Sequence, residues 1–169
     1  EDITDVIMSH LHFDHCGGGT RLDENGDLKL TFSNAGYWVG RKQWENAMNP
    51  NPREKSSYFK ENLLAIERSG KLKFIEANTR FSDNMELRLY NGHTVGQIVP
   101  FINYEGKTLV YVADLIPSSA NLPVAWVAAF DVYPITSMEE KKAFLKEAYE
   151  NKYTLFFEHD IAVECGNLR

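Results

Sequence analysis

Cysteine is scarce. Two in 169 residues, Cys16 and Cys165, are too few and too far apart to form a disulfide framework. Both read as small thiols that pack; Cys16 follows His15 directly and so sits beside the histidine cluster described below. Long apolar runs are missing too. No stretch approaches the roughly 20 residues a helix needs to cross a bilayer, so no membrane association is expected. Basic residues are the minority, 18 against 24 acidic, giving a net charge of −6. A surface of that sign repels phosphate backbones, and no basic stripe offsets it, so nucleic acid is not an expected partner. Repeats, low-complexity runs and linkers are also absent, and residues 1–169 read as a single domain.

What is there is ordinary for a globular protein. Hydrophobic residues make up 43% and charged residues 25%, and the length suffices for one substantial core. Glu1 is not an initiator, and Glu1-Asp2-Ile3-Thr4-Asp5 shows no basic region followed by an apolar one. The expectation is a cytoplasmic protein read from a chain that lacks upstream residues.

Strand signals recur along the sequence. Ile3 to Ser9 is apolar and rich in β-branched residues and runs into a loop holding Gly17-Gly18-Gly19. Asn25-Gly26 marks a turn before a strand from Leu28 to Phe32. Tyr37, Trp38 and Trp44 are expected in one helix, which Asn49-Pro50-Asn51-Pro52 would break. Ser57 to Ser69 reads as a second helix with Gly70 at its end. Lys71 to Ala77 and Met85 to Tyr90 read as strands. Ile98 to Tyr104 and Thr108 to Ala113 form a predicted hairpin around Glu105-Gly106. A long apolar loop covers Pro117 to Pro134. Ser137 with Glu140 resembles a capping box opening a helix whose Phe144, Leu145, Ala148 and Tyr149 would share one face. Thr154 to Phe157 closes the series. Strands alternating with helices imply an α/β arrangement.

The histidines carry the chemistry. There are five: His10, His12 and His15 lie within six residues beside Asp14, while His93 and His159 each follow a predicted strand. In an extended segment alternate side chains face the same way, so His10 and His12 can reach one ion together. The chain then turns, which lets Asp14 and His15 address a second position. Imidazole nitrogen and carboxylate oxygen suit a borderline ion such as zinc, and a catalytic site also needs an open position for water. A lone histidine is more often a surface or core residue, but three with an aspartate on a glycine loop are hard to explain without a cation.

Ser9-His10-Leu11-His12-Phe13-Asp14-His15-Cys16-Gly17-Gly18 resembles the HxHxDH signature of the metallo-β-lactamase superfamily. Gly92-His93-Thr94-Val95-Gly96 resembles its second motif, Ala113-Asp114-Leu115 its third and Phe157-Glu158-His159-Asp160 its last, all in the family's order. The resemblance implies an αββα sandwich of the metallo-β-lactamase fold, lacking part of its N-terminal half. It implies two divalent metal ions, zinc first with manganese or iron as alternatives. His10, His12 and His93 would hold one, Asp14, His15 and His159 the other, and Asp114 would bridge. It also implies a dinuclear hydrolase whose hydroxide, activated between the ions, attacks a small ester or lactone, with Asp14 and Asp114 as the catalytic carboxylates.

Aspartate at position 114 resembles the hydrolase branches typified by glyoxalase II and lactonases, and His10 to Gly18 with the aromatic insertion after it resembles the lactone- and organophosphate-hydrolysing branch. N-acyl homoserine lactonases carry a tyrosine three residues after the bridging aspartate, where this chain has Pro117; Tyr133 is a substitute to consider. Trp38, Trp44, Tyr58, Phe59, Trp126 and Phe130 are candidates for the wall of a substrate pocket, with ordinary packing the competing role for each. The expected partner is a small-molecule substrate, and a dimer stays among the open oligomeric states. Alternatives are a thioester or phosphoester hydrolase of the same fold, an iron-dependent redox enzyme, and a metal-binding module without turnover.

Overall fold

A computed structural model describes residues 2–169. The α/β class expected from the sequence is what it shows, with four α-helices among the described residues. The chain divides into two compact units, one up to Glu76 and one from Ala77 to Arg169. Among the described residues, no helix is long and apolar enough to cross a membrane.

The first unit runs β1 (Asp5–Ile7), α1 (Phe13–Cys16), β2 (Thr20–Leu22), β3 (Leu28–Leu30), β4 (Gly36–Gly40), α2 (Arg41–Met48), α3 (Lys60–Arg68) and β5 (Leu72–Ile75). Its main sheet is parallel in the order β1-β4-β5, with Val6 beside Tyr37 and Val39 beside Phe74. β2 and β3 form a separate hairpin. The helix expected to hold Tyr37, Trp38 and Trp44 is a strand followed by a helix: Tyr37 and Trp38 lie in β4, Trp44 in α2. Gly36-Tyr37-Trp38-Val39-Gly40 is an aromatic and β-branched run in the central strand, where both neighbours supply ladder bonds. Tyr37 and Val39 are fully buried with Leu11, Trp44, Ala47, Leu63 and Ile66. Each such side chain contributes about 1.5–3 kcal/mol on burial.

The second unit continues with β6 (Thr79–Ser82), β7 (Met85–Tyr90), β8 (Gln97–Tyr104), β9 (Lys107–Tyr111), α4 (Pro134–Glu150), β10 (Thr154–Phe156) and β11 (Cys165–Asn167). These strands make one sheet in the order β11-β10-β9-β8-β7-β6. β6 and β11 are short, and the sequence reading did not mark them. The β8–β9 hairpin turns through Glu105 and Gly106, both at positive φ (50° and 74°), as a tight two-residue turn requires. β9 and β10 pair in parallel, which demands a long crossover; α4 supplies it, burying Phe144 and Ala148 against Val99, Phe101, Val110 and Leu155.

Two helical expectations change in α4. The helix begins at Pro134, not at Ser137. Proline is suited to the first turn because its missing N–H would lack a helical partner there. Ser137 is buried inside the helix, and Glu140 accepts backbone N–H groups from Asn91 and Gly92 in place of a capping role. Tyr149, expected on the apolar face, is exposed; five residues beyond Phe144 lie about 140° around the helix from it.

Sheet direction sets where the ligand candidates emerge. β1 and β4 run parallel, so His10 and His12 leave the same sheet end from which α2 starts. In the second unit β7, β9 and β10 all finish at one end, because β8 is antiparallel to both β7 and β9. His93, Asp114 and His159 follow those three strand ends.

Candidate metal centre

In the first unit the backbone is extended at His12 (φ −63°, ψ 146°) before α1 begins. Leu11 points into the core and is fully buried, so His10 and His12 share the opposite side, as the alternation predicts. The ring centroids of His10 and His12 are 4.6 Å apart, and those of His10 and His15 3.9 Å. Asp14 lies on the single turn of α1 with its carboxylate exposed, 3.5 Å from His15 Nε2. Gln43 of α2 accepts the Leu11 N–H at 3.3 Å, which fixes the segment between the two histidines. Cys16 donates to the Leu11 carbonyl at 3.3 Å, and burial pushes its thiol up to about 12.

In the second unit Asp114 is buried and holds a histidine on each oxygen. Its Oδ2 lies 3.0 Å from His93 Nε2 and its Oδ1 3.3 Å from His159 Nε2. Ala113, directly before it, sits at φ 47°, a left-handed conformation costing an alanine about 1 kcal/mol or more. His159 is anchored by its N–H to the Pro117 carbonyl at 3.1 Å. Asp160 secures the turn, accepting from Ser119 on one oxygen and from the Ala162 and Val163 N–H groups on the other. Those bonds, the Ser119 hydroxyl first, hold its carboxyl well below the usual carboxylate range.

The donor chemistry fits divalent cations. His93 Nδ1 lies 3.0 Å from the carboxylate of Asp131. If Nδ1 carries the proton, Nε2 presents a lone pair to a carboxylate oxygen. Two acceptors that close need a shared cation, a proton or a metal. The first unit adds three clustered imidazoles and a carboxylate, all ligand types that zinc accepts.

Two carboxylates near these histidines went unmarked in the sequence. Glu54 is buried 3.5 Å from His12 Nε2 and accepts from Asn46, Asn51 and Tyr58. No local pattern singles it out in the charged loop around it. Asp131 is different: it is the only Asp, Glu, Lys, Arg or His between Asp114 and Glu139. A lone charge in an apolar stretch is a readable signal, because burying it demands a partner. Glu140 was noticed, but for a different task.

The sequence profile of the metallo-beta-lactamase superfamily matches residues 1–159. The chain belongs to that superfamily. Its mixed α/β structure matches the metallo-β-lactamase fold, as the resemblance implied. A probable metal-dependent hydrolase from Staphylococcus aureus superposes with a TM-score of 0.88 at 30% identity, covering 99% of this chain and 58% of that one. A dizinc quorum-quenching lactonase, solved with a product, gives a TM-score of 0.82 at 28% identity, covering 98% and 60%. Among curated relatives, an N-acyl homoserine lactonase from Bacillus thuringiensis is 28% identical over 97% of this chain, and one from Bacillus cereus 30% identical over 98%. The chain spans 58% and 59% of those two proteins.

The aromatic candidates of this superfamily member divide by exposure. Trp44 and Tyr58 are buried in the core of the first unit. Trp38 donates to Asp5 at 2.7 Å and lies under the Lys73 ammonium. Phe59 is half-exposed and stacks on Phe13, ring centroids 5.1 Å apart. Trp126 and Phe130 are exposed on the loop before α4, and Tyr133 donates its N–H to the Gly92 carbonyl.

Proposed function

We propose that this chain is the catalytic part of a zinc-dependent hydrolase acting on small lactones and esters. On this reading the metal centre is dinuclear. His10, His12 and His93 would hold one ion, Asp14, His15 and His159 the other, and Asp114 would serve both. The observation that carries the proposal is Asp114, buried with an imidazole nitrogen against each oxygen. The imidazole cluster of the first unit and the lactonases among the relatives support it.

When bound, the ions would supply Lewis acidity for the substrate carbonyl and bring the pKa of water toward neutrality. The remaining work falls to the chain. Asp14, exposed on its helical turn, would pass a proton to the departing alkoxide. The stacked Phe13–Phe59 pair offers an apolar plate for an acyl group, and Trp126 and Phe130 offer others. The substrate is a small molecule, with N-acyl homoserine lactones the first class to try.

The test is hydrolysis by the zinc-supplied protein of a panel of lactones, aryl esters, thioesters and phosphotriesters. Lactone turnover is expected, with about two zinc ions per chain by elemental analysis. His12→Ala and Asp114→Ala should each lose zinc and more activity than the ~10–100-fold typical of an outer partner. Full activity in either variant, or iron in place of zinc without hydrolysis, defeats the proposal.

A further inference from the structure

Phe130, Asp131 and Val132, three consecutive residues of the loop before α4, each hold a different part of His93. The Phe130 ring meets the imidazole edge-on with centroids 5.6 Å apart. The Asp131 carboxylate lies 3.0 Å from Nδ1, and both groups are buried. The Val132 N–H donates to the His93 carbonyl at 3.0 Å, and the Tyr133 N–H to that of Gly92 at 2.9 Å. From the other side Glu140 accepts the Asn91 and Gly92 N–H groups, and Gly92 lies against the Ser137 backbone. The segment bearing His93 is therefore clamped between this loop and the start of α4.

We infer that Asp131 is the positioning residue of His93: its carboxylate accepts the Nδ1 proton, sets the tautomer and aims Nε2 at the side of Asp114. The physical case has three parts. A buried carboxylate is costly unless paired, and the His93 imidazole lies within hydrogen-bond distance of this one. A histidine that must present Nε2 to a cation needs its other nitrogen protonated, and an acceptor on Nδ1 achieves this while raising the basicity of the ring. Two backbone bonds next to Asp131 keep it in register with His93, so the contact does not depend on a flexible side chain finding its partner.

This role rests on the zinc reading above, and the two can fail separately. Zinc affinity would be measured by chelator competition, and the His93 ring protons by long-range proton–nitrogen spectra of the zinc-loaded protein. In the unaltered protein His93 should show a slowly exchanging proton on Nδ1. Asp131→Ala should lose that signal and bind zinc about 10–100-fold more weakly. Asp131→Asn, whose amide oxygen can still accept the proton, should keep the signal and most of the affinity. It also guards against an alanine variant that does not fold. A merely structural aspartate would lower the melting temperature of both variants and leave the affinity of the folded protein and the site of protonation alone. Failure of the unaltered protein to take up zinc overturns the metal reading and this role with it. Normal uptake with a proton on Nε2, or an alanine variant that keeps both signal and affinity, overturns the positioning role alone.

Discussion

A Cβ added to Gly92 would stand 2.4 Å from both the Cα and the backbone nitrogen of Ser137. The turn after β7 and the first turn of α4 are thus in direct backbone contact, with no side chain between them to yield. Since Gly92 precedes His93, the closeness of helix and turn sets where that imidazole begins.

Gly92→Ala must therefore push α4 and the turn apart. Such overpacking against backbone should cost about 3 kcal/mol, which lowers the melting temperature by roughly 6–12 °C. Zinc affinity should fall as well, since His93 moves with its neighbour. Calorimetry of the variant checks this, and a midpoint within about 2 °C of the parent would contradict it.

Arg88 of β7 grips Glu147 of α4 with bonds of 2.8 and 3.0 Å and also reaches Glu86. Burial pushes the Glu147 carboxyl up, but hydrogen bonds from Arg88 and Tyr153 outweigh it and leave it below its ordinary value. A depressed carboxylate stabilises the fold above its unfolded pKa of about 4.3, and that contribution disappears as pH falls through the folded value. Relative to Glu147→Gln, the parent should gain about 1 kcal/mol at pH 7 after solvent screening. Urea titrations should show the gap closing below about pH 4. A gap that stays constant into acid would contradict the pairing.

The two thiols should react differently. Cys16 is buried and donates to Leu11, whereas Cys165 is exposed on β11. A thiol reagent should label one cysteine in the native protein and both in denaturant, with Cys165 identified by peptide mapping. Rapid native labelling of Cys16 would show that the loop carrying His12 and His15 opens readily.

Lys141 is buried on α4 and donates to the carbonyls of Asn121, Pro123 and Trp126 at 2.9, 3.0 and 2.8 Å. It ties the loop bearing Trp126 to the helix. Lys141→Met keeps the stem and removes the donors, so stability should drop by roughly 1–3 kcal/mol. Limited proteolysis should then cut near residues 121–126 first. Unchanged stability and an uncut loop would argue against the tether.

Local signals in the sequence carried a good part of the fold. Met85–Tyr90 was bounded correctly because its pattern and the turn after it act within a few residues. Glu105-Gly106 marked its hairpin for the same reason. The run from Tyr37 to Trp44 misled, because aromatic residues suit helix and strand alike, and the choice fell to flanking strands some 30 residues away in each direction. Ser137 and Glu140 misled similarly: their spacing fits a cap, but Glu140 finds donors 48 and 49 residues earlier.

The histidines and Asp114 could be named from the sequence alone, since ligand chemistry belongs to the residue type and HxHxDH is a local pattern. The tertiary structure decided what surrounds them. His93 and His159 reach opposite oxygens of Asp114 because β7, β9 and β10 end together, an outcome of strand direction that no spacing encodes. Asp131 meets His93 across 38 residues, and Glu54 meets His12 across 42. Hydrogen bonds act over about 3 Å, so which carboxylate serves which imidazole is settled only when the chain has closed on itself.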